Sequence, residues 1–438
     1  MMKWKRTMLP VFSAMLTFVL ILNACSNGNG NSSGNGTSST ETNAQPSSAN
    51  TEMKKELKTE EGAKLVVWET KDQLEFVKEV GKKFEEQYGV PVTVKEVGAD
   101  KEQSDRLATD GPAGLAADIL TLPHDHIGLN AKAGLILPND YFEEETRTSS
   151  TESAVTASTF EGVLYGYPKA VETYALLYNK DLVPSPPTTW EDIIEFSKTF
   201  NDPTNNKYTI MWDLGSFYYS YIFYSSLGGY IFGKEDTDTS DIGLNNDGAI
   251  KGLTYFKKLK SALPLNSGDI TGDVKSQLFQ QGKLAFNIDG PWAISSFRDK
   301  VNFGVVSLPK FPSGEQSISF SGVKSYCVNA YSKYPNAARL FAHFATSKEN
   351  QLLDYKMTGI IPANSEAAED PIIQQDPYIS GFYQQFTHSN PMPSIPEFDY
   401  VWEPTDGALV SIWNNDADPK TTLDTAVETI KQKLQLKK

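Results

Sequence analysis

The sequence predicts an α/β protein built as more than one lobe, and three observations carry that prediction. Short apolar runs alternate with segments whose apolar residues recur at three- and four-residue spacing, the pattern of strands separated by helices. The chain has 438 residues, beyond the roughly 250–300 at which a single core stops growing. No short-period repeat interrupts the alternation.

The chain opens with three basic residues within Met1–Arg6, a mostly apolar run from Leu9 to Leu22, and then Leu22-Asn23-Ala24-Cys25. That run is short for a bilayer span and ends on a small residue before a cysteine, so residues 1–24 read as a lipoprotein signal peptide removed on export. Cys25 then becomes the N-terminus and the site of lipid attachment, where two acyl chains anchor stably and one alone does not. Residues 25–60 follow as a linker rich in Ser, Gly, Asn and Thr that cannot bury a core. Its Gly/Ser part spans about 30 Å as a flexible coil, enough to hold a folded body off a lipid surface. These features place the protein on the extracellular face of a Gram-positive membrane.

Leu65-Val66-Val67-Trp68 reads as a buried strand, and Val77, Val80, Phe84 and Tyr88 as one face of the helix after it. Pro91–Val97 is the next strand, Lys101–Thr109 a helix, and Asp118–Leu122 a third strand. Strands joined by helices imply mostly parallel sheets, with ligands bound beyond the strands' C-terminal ends. Trp68-Glu69 and Pro123-His124-Asp125-His126 fall at such ends. A second series runs through Ala175–Tyr178, Tyr208–Trp212, Leu284–Ile288 and Phe303–Val306, and a helical pattern follows Tyr334-Pro335.

Net charge is −15 with the basic signal included, which disfavours nucleic acid and anionic lipid as partners. No Gly-x-Ser-x-Gly elbow and no phosphate-cradling Gly-rich loop occurs. His124 and His126 are a close pair without a third ligand nearby, so capping of a helix entry around Asp125 is the expectation there rather than a metal. Glu235–Asp241 lacks the glycine and terminal glutamate spacing of a calcium loop and reads as a solvated turn. Cys327 reads as a buried strand thiol, which leaves stability to packing rather than to an intrachain disulfide. The helix expected over Ser216–Ser226 carries Phe217, Tyr218, Tyr219, Tyr221, Phe223 and Tyr224. Rings all round one helix put some of them on an opening, where they cover the C–H face of a sugar while Asp and Glu bind its hydroxyls.

Several segments closely resemble the maltose and maltodextrin-binding proteins of ABC importers: Lys64-Leu65-Val66-Val67-Trp68, Glu79–Glu85, Pro168–Glu172 with Tyr178–Leu182, Asp289-Gly290-Pro291-Trp292, and Met392–Pro396. The resemblance runs from Lys64 to the C-terminal helix. It implies a two-lobed fold like that of periplasmic binding proteins, each lobe a mostly parallel sheet flanked by helices, with a hinged cleft between. Lobe 1 would comprise 61–172 and 322–374, and lobe 2 173–321 and 375–438. Crossings would lie near Ala170–Ala175, Phe320–Tyr326 and Asp370–Pro377.

Carried over by resemblance, the sugar-binding carboxylates are Asp125 and Glu172, and the stacking rings Tyr218, Trp292 and Trp402, with Tyr219 beside them. Glu69 joins them through a loop one residue shorter than in the Gram-negative member, where Lys71 and Asp72 are alternative contacts. Departures from that member include Leu122 for a Trp, His126 for an Arg, Ser216 for a Glu, and Glu403 and Asp406 for a Tyr and an Arg. The implied protein is a monomeric, non-enzymatic carrier without cofactor or metal that captures maltose, maltotriose, longer or cyclic glucans and docks closed on a permease. Other oligosaccharides, from galactan or xylan, are the alternative ligands. A secreted glycosidase using Asp125 and Glu172 as its acid pair, or a surface adhesion or sensor module, are the alternative classes.

Overall fold

The computed structural model describes residues 57–98 and 101–436; the proposed signal peptide, Cys25 and most of the linker lie outside them. Two sheets organise the chain. The larger runs in the order Ile361–Pro362, Tyr167–Thr173, Ser319–Asn329, Ile119–Pro123, Leu65–Glu69, Val92–Glu96, with Ile136–Leu137 and Ser389–Pro391 also paired to the long strand Ser319–Asn329. The smaller runs Phe303–Val306, Ala175–Asn179, Leu284–Asp289, Tyr208–Met211. Helices cover both, giving the α/β architecture that the alternating pattern predicts and the two sheets that the resemblance implies.

The expected strands and helices fall within a residue or two of their predicted bounds. Strand Leu65–Glu69 pairs in parallel with its neighbours Val92–Glu96 and Ile119–Pro123, as helical crossovers require. Helix Leu74–Tyr88 between the first two of these buries Phe76, Val77, Val80 and Phe84, and stops at Gly89, whose φ of 69° is the left-handed cap that glycine supplies cheaply.

Leu284–Asp289 pairs in parallel with Tyr208–Met211, and Ser319–Asn329 with Ser389–Pro391, but other pairings depart from the mostly parallel expectation. Strand Ser319–Asn329 is antiparallel to both Ile119–Pro123 and Tyr167–Thr173. Ala175–Asn179 is antiparallel to both its neighbours. The chain passes from the larger sheet to the smaller after Thr173 and returns between Val306 and Ser319. At the first such crossing a single residue, Tyr174, separates strand Tyr167–Thr173 of the large sheet from Ala175–Asn179 of the small one. The crossing is pinned by Thr173 Oγ1, which donates to the Phe320 carbonyl at 2.6 Å. Buried Gln385 reinforces it, donating to Ser317 O and Ser319 Oγ while accepting from Leu308 N.

The acidic stretch expected as a solvated turn is a turn with Lys234, Glu235 and Asp236 all left-handed, followed by the short strand Asp238–Ile242. Asp236 accepts from Phe232 N and so ties the turn to itself. Cys327 lies fully buried in strand Ser319–Asn329, as expected.

Cores form on both sides. Beneath the smaller sheet, Trp190, Trp212, Phe223, Phe256 and Trp413 pack ring to ring, and each indole N–H has a partner: Ser317, Ser220 and the Leu265 carbonyl respectively. Helices Phe217–Ser225 and Asp247–Lys258 meet at Gly252, where a Cβ would lie 1.7 Å from the Phe223 carbonyl oxygen. In the large sheet, Lys169 is fully buried. Burial would lower its pKa, but Glu69, 2.8 Å away, together with Tyr326 and Asp354 holds it above the usual range. Burial also pushes Asp354 up to about 7, while Lys169 and Thr358 oppose that rise.

Two outcomes follow. Gly252→Ala must force the two helices apart and should cost about 3 kcal/mol of stability, read as a lowered melting temperature with fold retained. Between the ordinary carboxylate range and pH about 7 the folded chain keeps a proton on Asp354 that the unfolded chain has lost, so this group makes stability fall as pH rises through that window. Denaturant titrations from pH 4 to 8 should show Asp354→Asn removing that part of the slope.

Candidate functional site

Strand Tyr167–Thr173 is buried along its whole length despite the polar sequence Tyr-Pro-Lys-Ala-Val-Glu-Thr, because neighbouring strands lie on both edges and its two carboxylate and ammonium groups find partners. Glu172 sits opposite Gly322 of the long strand. A Cβ at Gly322 would lie 3.5 Å from Glu172 Cγ and 3.2 Å from Met392 Cε, so glycine keeps this corner open. The Glu172 carboxylate lies 3.2 Å from Lys324 Nζ.

Trp292 follows strand Leu284–Asp289 in the short turn Pro291–Ala293. Its indole folds back across Gly290, where a Cβ would fall 2.1 Å from the six-membered ring, and its N–H donates to Asp289 Oδ1 at 2.8 Å. Asp289 is held in turn by the buried ammonium of Lys275 at 2.6 Å. The ring is therefore fixed from behind and half-buried. Lys324 Nζ lies 5.1 Å from its centroid, within the range of a cation–π contact.

Helix Phe217–Ser225 brings two more rings, both half-buried. Tyr218 stands 6.5 Å from Trp292 and 5.2 Å from Tyr174, the residue at the crossing. Tyr219 points its hydroxyl toward Asp289 Oδ1. Phe320, at the start of the long strand's passage, lies 6.2 Å from Tyr218 and 6.2 Å from Trp402. Trp402, half-buried on helix Asp399–Asn414, also packs on Phe217 and Phe398. Trp292, Tyr218, Tyr219 and Trp402 thus form one aromatic wall through Phe320, with Glu172 joined to it by Lys324.

Asp125 occupies the turn His124–His126 that ends strand Ile119–Pro123. No side chain caps this turn, so the capping expected there is not its role. Asp125 is 7% exposed, its Oδ1 has no hydrogen-bond partner and its Oδ2 lies 3.6 Å from His126 Nε2. His124 accepts from Val323 N at Nδ1, which leaves Nε2 to donate to the Met392 carbonyl at 2.9 Å. Burial lowers its pKa, in keeping with that neutral form. His124 therefore fastens the Asp125 turn to the strand carrying Lys324, and the His pair is structural.

Glu69 takes a different place from the other acids. It is fully buried, with Oε2 accepting from Lys169 and Thr121 and Oε1 from Thr70. Its carboxylate is spent inside the large sheet, and Lys71 and Asp72 beside it are exposed. Among the described residues no group of three His, Cys, Asp or Glu side chains could hold a metal ion.

Sequence reasoning missed Lys324, Asp289 and Lys275, and read Asp406 only as a lost arginine. Asp406 Oδ1 accepts from Phe217 N at 2.7 Å and so caps the aromatic helix. Burial pushes it up to about 6, the Phe217 N–H opposing and Asp213 adding to the rise. A lysine at the centre of the otherwise uncharged run Ser319–Val328 was the one signal in the chain for Lys324. Flat rings backed by fixed polar groups, with acids at their edge, can hold a flat, hydroxyl-bearing ligand through apolar contact and hydrogen bonds together.

A family model for bacterial extracellular solute-binding proteins matches residues 79–380. The chain is 37% identical over 386 residues to the galactooligosaccharide-binding protein of Bacillus subtilis, covering 86% of this chain and 90% of that one. It is 33% identical over 380 residues to a maltooligosaccharide ABC transporter solute-binding lipoprotein of Streptococcus pneumoniae, covering 84% and 89%. Among solved structures, the Thermus thermophilus maltotriose-binding protein bound with maltotriose matches with a TM-score of 0.78 and 30% identity over 84% of this chain and all of that one. The chain belongs to the bacterial extracellular solute-binding proteins.

Proposed function

We propose that this protein captures maltodextrin-type oligosaccharides outside the cell and hands them to an ABC importer. The observation that carries this reading is the aromatic wall of Trp292, Tyr218, Tyr219 and Trp402 meeting the Glu172 carboxylate at the crossing between the two sheets. Asp125, buried with one oxygen unpaired, supplies an acceptor near the long strand. Neutral sugars have apolar C–H faces for such rings and hydroxyl donors for such acids. The carrier binds without breaking a bond. Relatives that bind maltooligosaccharides and maltotriose support the ligand class.

In this reading lobe 1 comprises 61–172 and 322–374 and lobe 2 comprises 173–321 and 375–438, with rotation absorbed near Val171–Tyr174. A ligand touching both lobes stabilises the closed form by its differential contacts, and the closed form docks on the permease. Cys25 carries the lipid anchor. Galactooligosaccharide is a second reading, favoured by the 37% identity to the Bacillus subtilis protein that binds it.

Calorimetry with maltotriose, maltotetraose, a cyclodextrin and a galactotriose separates the two ligand readings: saturable binding of the glucans with no sugar released over hours is the expected outcome. Tight binding of galactotriose alone would replace the first reading with the second, and release of shorter sugars would make the protein an enzyme. Trp292→Ala should weaken every bound ligand by about 10- to 100-fold, the loss typical of a central aromatic anchor. Cys25→Ala should move the protein from the membrane fraction to the medium, read by fractionation of expressing cells.

A further inference from the structure

Strand Ser319–Asn329 is buried along its length save at Lys324, which is itself only 13% exposed at the side chain. Its Cα lies opposite Pro123 on one side and Ala170 on the other, and the ladder shifts register immediately after it. Strand alternation puts Lys324 on the same face as Gly322, which lies opposite Glu172. Taking an ammonium out of water is costly unless it is paired. Here its partners are the Glu172 carboxylate at 3.2 Å and the Trp292 ring at 5.1 Å, the same acid and the same ring that the proposed sugar site uses. A counterion serving Glu172 alone has no need to lie over an indole fixed by a different sheet.

The chemistry of hydroxyl recognition gives this placement its meaning. A carboxylate only accepts hydrogen bonds, whereas a sugar hydroxyl both donates and accepts. An ammonium beside a carboxylate offers both partners within one hydroxyl's reach, and charge-assisted bonds are the stronger ones. We propose that Lys324 is a positioning and specificity-determining residue of the sugar site: it fixes Glu172 beside Trp292 and donates to the hydroxyls of the ring stacked there. The proposal rests on the sugar-carrier reading. It commits the ligand to a neutral pyranose whose hydroxyls border the face lying on Trp292, and it makes Lys324 and Glu172 act as one unit.

The test is calorimetry on the full chain with maltotriose, maltotetraose and galactotriose as probes, using wild type, Lys324→Met, Lys324→Arg, Glu172→Gln and the Lys324→Met/Glu172→Gln double variant. Lys324→Met should lose about 10- to 100-fold in affinity, and Lys324→Arg should recover part of it. The double variant should lose less than the product of its two single losses, because the pair is broken only once. Melting temperatures accompany each titration; if Lys324→Met does not fold, Lys324→Gln replaces it in the cycle. Wild-type binding with unchanged Lys324→Met affinity, or losses that simply multiply, would overturn this inference alone. A wild-type chain that binds none of the three sugars would overturn the carrier reading and this inference with it.

Discussion

The antiparallel ladder between Tyr167–Thr173 and Ser319–Asn329 is the constraint on which the rest of the molecule depends. Tyr167–Thr173 leads through Tyr174 straight into the smaller sheet, and Ser319–Asn329 carries Lys324 beside it, so the backbone hydrogen bonds of this ladder set the position of Glu172 and Lys324 next to the crossing. Because side chains alternate across a strand, a slip of one residue would turn Glu172 and Lys324 to the opposite faces. Lys169 guards against that slip. Its buried pairing with Glu69 is satisfied in one register only, and a buried ammonium without its carboxylate is strongly destabilising.

Several polar groups around the rings are already committed to neighbours. Asp289 is committed to Lys275, to the Trp292 indole, to Asn287 and Tyr219, and to its own turn through Gly290 N. Asp406 is committed to the first N–H of the aromatic helix. These acids hold rings and the start of the aromatic helix in place. Rigid rings lose little entropy when a ligand arrives, which is how preorganised sites convert modest contacts into affinity.

The first strands, the helix Leu74–Tyr88 and the strands of the smaller sheet were legible because apolar runs and three-to-four spacing are local signals. The direction of the long strand was not. Ser319–Asn329 mixes Ser, Gly, Lys and Cys, and Tyr167–Thr173 holds Pro, Lys and Glu, so neither has the apolar run of a buried strand, and only pairing on both edges makes them so. At the site, Trp292, Tyr218 and Glu172 carry recognisable sequence contexts. The partnerships of Lys324 with Glu172, Asp406 with Phe217, and Glu69 with Lys169 join residues far apart in the chain, and no spacing rule reaches across such separations. Glu69 shows the cost of position without partners: it ends a strand as a binding acid should, yet its lysine draws it inward.

The shielded thiol of Cys327 has a consequence for life outside the cell. Burial raises its pKa far above that of an exposed thiol and puts its sulfur out of reach of any oxidant or neighbouring molecule. A thiol sealed in the middle of a strand takes no part in disulfide exchange as long as the sheet stays folded. The sulfur serves there as a small apolar group that fills the sheet.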